Sequence, residues 1–125
     1  MIFLDTNILL EVMLKNRLKR VQVENYLSLV NEQTAISMLS VHLIIYFGRK
    51  EQAEDEFLIN FIEENKLLSL LPEDYEWASR NEKGKDFEDA LQLAIAIRSK
   101  CDTFVTLDKK LVSAYVGLPI KIISI

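Results

Sequence analysis

Hydrophobic periodicity changes repeatedly along this chain. Short apolar runs of β-branched and aromatic residues alternate with longer stretches whose apolar residues recur every three or four positions. Ile2 to Leu4 is the first short run, and it ends at Asp5-Thr6-Asn7, residue types that cap helices and make turns. Ile8 to Leu14 and Val21 to Val30 then carry helical spacing, with Val23, Leu27 and Val30 on one stripe. Thr34 to Ser37 reads as a second strand, and Ser40 as the N-cap of an apolar helix, Val41 to Phe47, that Gly48 should stop. Glu51 to Glu64 is an amphipathic helix with Phe57, Leu58, Phe61 and Ile62 on its core side, and Leu67 to Leu71 is a strand ended by Pro72. Asp74 to Arg80 reads as helix, Asn81 to Lys85 as loop, and Asp86 to Arg98 as a strong helix. Thr103 to Leu107 is a strand, Lys109 to Tyr115 a short helix, and Ile120 to Ile123 a closing strand behind Pro119.

Strands alternating with helices predict a parallel sheet covered on both faces, a three-layer α/β/α domain with about five short strands. With 125 residues and no Pro/Gly/Ser-rich linker, residues 1–125 are expected to form a single domain. Half the residues are hydrophobic and only three are Gly and two Pro, so a sizeable core can form with little chain left for long loops.

Composition also narrows the function. The most apolar stretch, Thr34 to Gly48, is broken by Ser37, Ser40 and His42 and is too short for the ~18 residues of a membrane span. The first residues lack the basic and apolar regions of a secretory leader, and Cys101 is the only cysteine, which together predict a reducing, cytoplasmic setting. A net charge of −4 argues against non-specific coating of nucleic acid, although basic residues are grouped at Lys15 to Arg20, at Lys83 and Lys85, and at Lys109 and Lys110. Each of those groups also fits a solvated helix face or end.

Three acids stand where an α/β sheet places ligands, beyond the carboxyl ends of its strands. Asp5 and Asp108 each follow a strand, and Asp89 lies in the first turn of the helix that leads into the strand before Asp108. Individually they have a simpler reading: Asp5 and Asp86 fit helix N-caps, Asp89 three residues after Asp86 resembles a capping box, and Asp108 could pair locally with Lys109. Convergence favours chemistry over capping, because like charges within ~4 to 6 Å raise one another's pKa unless a cation neutralises them. An all-oxygen site suits Mg²⁺ or Mn²⁺, and such an ion activates water against a phosphodiester.

Three segments carry a resemblance: Ile2-Phe3-Leu4-Asp5-Thr6-Asn7, Asp86-Phe87-Glu88-Asp89-Ala90-Leu91 leading into Ala94 and Ala96, and Phe104-Val105-Thr106-Leu107-Asp108. In order and spacing they resemble the PIN-domain nucleases, which include the VapC-type toxins of bacterial toxin–antitoxin pairs, and the resemblance runs over essentially the whole chain. It implies a Mg²⁺- or Mn²⁺-dependent endoribonuclease with RNA as substrate and an antitoxin protein as partner. It further implies that Asp5, Asp89 and Asp108 are the catalytic acids and metal ligands, that Asp86 is a further metal ligand, and that Asn7 and Thr106 form the polar shell. One position departs from the family, which often carries a Glu in the helix after the second strand, where this chain has Leu43. Asp86 and Glu11 are the acids that could replace it, while neighbouring His42 reads as a satisfied core residue; the apolar stretch around Leu43, Ile44, Tyr46 and Phe47 fits core or a homodimer surface, with core as the default. The competing function is a PIN-like module that binds RNA or protein without catalysis, a reading that rests on Leu43. A phosphoacceptor receiver domain ranks below both, because it needs paired acids after the first strand and Asp5 stands alone.

Overall fold

The computed structural model describes residues 1–125. Its elements run β1 (Ile2–Leu4), α1 (Thr6–Met13), α2 (Arg20–Leu29), β2 (Thr34–Ser37), α3 (Met38–Lys50), α4 (Asp55–Glu63), β3 (Lys66–Leu68), α5 (Pro72–Asn81), α6 (Phe87–Arg98), β4 (Thr103–Thr106), α7 (Lys109–Ala114) and β5 (Lys121–Ser124). The five strands form one sheet in the order β3-β2-β1-β4-β5, and every pairing is parallel. This is the predicted three-layer α/β/α architecture. No helix is long and apolar enough to cross a membrane.

Alternation along the strands divides the core in two. Ile2 and Leu4 join Ile36 and Val105 on one face, where α1 to α4 contribute Ile8, Leu9, Met13, Val23, Ile44, Leu58 and Ile62. Phe3, Ala35 and Phe104 point to the other face and meet Leu93, Ile95 and Ala96 of α6 and Leu111 of α7. The rings of Phe3 and Phe104 stack with centroids 5.2 Å apart, directly tying β1 to β4. Such a stack adds roughly 0.5–1.5 kcal/mol beyond the area it buries.

The structure corrects four boundaries. Ser37, not Ser40, caps α3: its Oγ accepts the Ser40 N–H at 3.0 Å, so the last residue of β2 is also the cap and the helix begins at Met38. Gly48 does not stop α3, which continues to Lys50. The expected helix from Glu51 starts only at Asp55, because Gln52 takes a φ of 61°, a left-handed conformation that breaks helical continuity. The strand expected over Leu67 to Leu71 is Lys66–Leu68, since β2 ends at Ser37, opposite Leu68, and offers nothing further to pair with.

Gly48 has a packing role instead. A Cβ there would lie 2.7 Å and 2.8 Å from the two Cδ atoms of Leu58, itself only 1% exposed. Gly48→Ala gains ~1 kcal/mol of helix propensity but forces α4 away or Leu58 off its rotamer, at ~1–3 kcal/mol. A net loss of about 1 kcal/mol in chemical denaturation is expected, and a variant as stable as the parent would mean that Leu58 has room to turn.

Candidate active site

From β1 the chain winds outward through β2 to β3, then returns to lay β4 and β5 on the other side of β1. Strand order therefore reverses between β1 and β4, and a crevice opens at their carboxyl ends. Asp5 directly follows β1, Thr106 ends β4 and Asp108 lies two residues beyond. The first turn of α6 arrives at the same edge. The result is a cleft of about 340 Å³ whose lining includes five acids, Asp5, Asp86, Glu88, Asp89 and Asp108, with Thr6, Asn7 and Leu43.

One hydroxyl ties the strand ends together. Thr106 Oγ1 donates to Asp5 Oδ2 at 2.7 Å and accepts from Asn7 Nδ2 and from the Asp108 N–H, both at 3.0 Å. Asn7 Oδ1 accepts the Leu107 N–H at 3.1 Å. The two residues read as a polar shell thus fix Asp5 and the β4–α7 turn in a common frame.

Capping and clustering prove compatible. Asp5 Oδ1 accepts the Thr6 N–H at 2.7 Å, Asp86 Oδ1 the Glu88 N–H at 3.0 Å, and Asp108 Oδ1 the Lys110 N–H at 2.9 Å. Each of these acids caps a helix, and in Asp86 and Asp108 the second oxygen makes no protein hydrogen bond. Asp89 is different. Asp86 caps α6 through the Glu88 N–H with no reciprocal bond from Asp89, so the capping box is half-built and both Asp89 oxygens are free.

That freedom has an electrostatic cost. Burial pushes the Asp89 carboxyl up to about 7 from 3.8, with Asp5, Asp86, Asp108 and Glu88 adding like-charge repulsion. Asp5, only 4% exposed, is pushed up to about 6, again chiefly by burial, against the hydrogen bonds from Thr106 and Thr6; Glu88 and Asp108 add repulsion. No three of the acids already stand as a finished ligand set. Mutual repulsion and the cap bonds, which turn one oxygen of each capping acid toward a helix, account for that spacing. The donor chemistry nevertheless fits a hard divalent cation, since the lining is carboxylate and hydroxyl oxygen with no sulfur or imidazole.

Residues 1–110 match the PIN-domain family. The chain belongs to the PIN-domain family. Several solved structures match it almost end to end. A toxin–antitoxin complex from Klebsiella pneumoniae is 20% identical, with a TM-score of 0.77 over 99% of this chain and 97% of that one. The sarcin–ricin-loop-cleaving toxin VapC20 of Mycobacterium tuberculosis is 12% identical, with a TM-score of 0.73 over 97% and 99%. VapBC2 from Rickettsia felis, bound to a DNA fragment from its promoter, is 18% identical, with a TM-score of 0.72 over 99% and 98%. No curated protein matches the sequence significantly.

Around the cleft of this PIN domain the remaining sequence candidates separate. Leu43 lines it, together with Phe47. Glu11 does not, its Oε1 being taken by the Lys19 N–H at 2.6 Å. His42, expected in the core, is exposed, and so is Tyr46, for which core rather than a dimer surface is the default reading; their rings lie 6.3 Å apart beside Arg49 and Lys50, because this face of α3 turns away from the sheet. Among the lysine groups, Lys85 and Lys110 line an adjoining hollow of about 290 Å³ that shares Asp86, Asp89 and Asp108 with the cleft.

Sequence reasoning missed Glu88 and Gln92. Gln92 is fully buried, its Oε1 accepting from Ser37 Oγ at 2.6 Å and its Nε2 donating to Thr6 Oγ1 at 2.8 Å and Ser40 Oγ at 2.9 Å. A signal was present: Gln92 is the only polar residue between Ala90 and Ile97, one helical turn from Glu88.

Proposed function

We propose that this PIN domain is a Mg²⁺- or Mn²⁺-dependent endoribonuclease and the toxin of a toxin–antitoxin pair, with an antitoxin protein as its partner. The observation that carries the reading is Asp89, an acid with two free oxygens and a raised pKa, facing the charges of Asp5, Asp86 and Asp108 at a strand-order reversal. The structural relatives, a toxin–antitoxin complex and a sarcin–ricin-loop-cleaving toxin among them, support it. In this reading Asp5, Asp89 and Asp108 hold the ion, and Asp86 adds charge from the rim. When bound, such an ion activates water and stabilises the charge that develops on a phosphodiester.

The chain's own residues do the rest. Thr106 and Asn7 keep Asp5 aimed while the ion is absent, so little reorganisation accompanies binding. Lys85 and Lys110 give the adjoining hollow the positive charge that flanking phosphates of an RNA need, in a protein of net charge −4. Leu43 and Phe47 form an apolar wall that lowers the local dielectric and strengthens attraction to the ion.

A second reading, a PIN module that binds RNA without cutting it, is favoured by Leu43, since a hydrocarbon at that wall offers no ligand. The two readings separate on the unmodified protein. At a Mn²⁺ concentration a hundred times Kd, stabilisation of about 2.7 kcal/mol is expected over the EDTA-treated sample, on the order of 10 °C in Tm. Single-stranded RNA should be cut in the first sample and not in the second. Superimposable melts and uncut but bound RNA would leave the binding module as the function.

A further inference from the structure

The polar residues behind the cleft form a chain whose hydrogen-bond direction is fixed. Glu88 Oε1 lies 3.0 Å from Thr6 Oγ1, and an ionised carboxylate only accepts, so the single Thr6 proton goes to Glu88. Thr6 Oγ1 must then accept from both Gln92 Nε2, at 2.8 Å, and Ser40 Oγ, at 2.7 Å. Ser37 in turn gives its proton to Gln92 Oε1. Every donor in the series points the same way, from the end of β2 through Gln92 and Ser40 to Thr6 and on to Glu88. Gln92 Nε2 adds a longer contact to the same Glu88 oxygen, at 3.4 Å.

Buried polar groups arranged in this manner polarise one another and strengthen each bond along the series. Ser37, Ser40 and Gln92 are each fully buried and Thr6 nearly so, which makes the anchor rigid. All of it acts on Oε1. Glu88 Oε2 makes no hydrogen bond to the protein, and Glu88 lines the same cleft as Leu43 and Asp5.

We propose that Glu88 supplies the further carboxylate for the divalent ion, its Oε1 held by Thr6 and Gln92 and its Oε2 left for the metal. This assignment rests on the metal-dependent reading above. It makes α6 the source of three of the acids, Asp86, Glu88 and Asp89, and it relieves α3 of supplying any. Leu43 then needs no acid in its place and serves as an apolar wall of the cleft. Glu11 is excluded because it does not line the cleft.

Glu88→Gln tests the assignment, because the amide oxygen can still accept from Thr6 and Gln92 while the second atom is no longer an anion. Mn²⁺ binding by isothermal titration calorimetry should weaken roughly 10–100-fold, the range for losing a group that orders a metal site. Circular dichroism and the Tm in EDTA should stay at or above those of the parent, and Glu11→Gln should bind as the parent does. Adding Leu43→Glu to Glu88→Gln aims a carboxylate into the same cleft from α3 and should recover most of the lost affinity. If Glu88→Gln binds Mn²⁺ as tightly as a parent that does bind it, Glu88 is structural and only this assignment falls. If the parent itself shows no Mn²⁺ binding, the metal-dependent reading falls and takes the assignment with it.

Discussion

Asp5→Asn should lower Mn²⁺-dependent RNA cleavage by at least ~10²–10³-fold, the loss seen when one preorganised electrostatic group leaves an active site. The substitution keeps the shape but not the charge that holds a hard cation. Its effect on folding is a balance of two small quantities. Thr106 Oγ1 already accepts from Asn7 and Asp108 and donates to Asp5, so an amide nitrogen turned toward it would find no lone pair. The alternative flip sets that nitrogen against the Thr6 N–H, which now bonds to Asp5 Oδ1. One hydrogen bond is lost either way, about 1 kcal/mol, against the relief of no longer burying a carboxylate. The fold should therefore persist, as circular dichroism can verify. Asp86→Asn is the comparison: Asp86 is exposed, and Asn caps a helix about as well, so less than a tenfold loss is expected. Equal losses in the two variants would place Asp86 among the metal ligands and remove the distinction drawn between them.

Asp89→Asn should do the opposite to stability, making the metal-free protein more robust at pH 8. Asp5 and Asp89 titrate at about 6 and about 7 in the fold and near 3.8 in an unfolded chain. Between those values the native state holds protons that the unfolded state has lost, so their contribution is complete below about pH 4 and disappears as pH rises through 6 to 7. For Asp5 the difference is on the order of 3 kcal/mol. Asp89 is partly exposed and solvent-screened, so it adds less. In EDTA the parent should melt on the order of 10 °C lower at pH 8 than at pH 5. Asp89→Asn should narrow that gap, gaining most at pH 8 and less at pH 5, where the unfolded chain has already ionised. With Mn²⁺ present the ranking should invert, since only the parent has the full charge for the ion. A metal-free parent whose Tm does not fall from pH 5 to pH 8 would show that the acids are better solvated than the cleft suggests.

Architecture and the three strand-end acids were legible because both arise from local pattern. Period-two runs such as Ile2 to Leu4, followed by caps and by helical spacing, specify a parallel sheet, and that topology brings Asp5, Asp108 and the first turn of α6 to one edge. What escaped depends on neighbours distant in sequence. Gly48 looks like a terminator until Leu58 is seen against it. Ser40 has cap chemistry, but Ser37 takes the role because β2 ends there. Glu88 reads as one of several acids in a helical first turn, which the helix dipole favours anyway. Only the buried partners Thr6 and Gln92, from α1 and from the next turn of α6, distinguish it.

The span of the Thr106 hub governs when the acidic cleft can form during synthesis. Asp5 and Thr106 are 101 positions apart, and the Asn7 and Leu107 partners 100. A ribosome adding ~5–20 residues per second needs roughly 5–20 s to go from one to the other, and throughout that time Asp5 has neither its hydroxyl anchor nor Asp108. Phe3 likewise waits for Phe104 before β1 can be clamped in the sheet. The growing chain thus acquires its acidic cleft only near the end of its synthesis, when β4 and the turn after it have emerged to join β1.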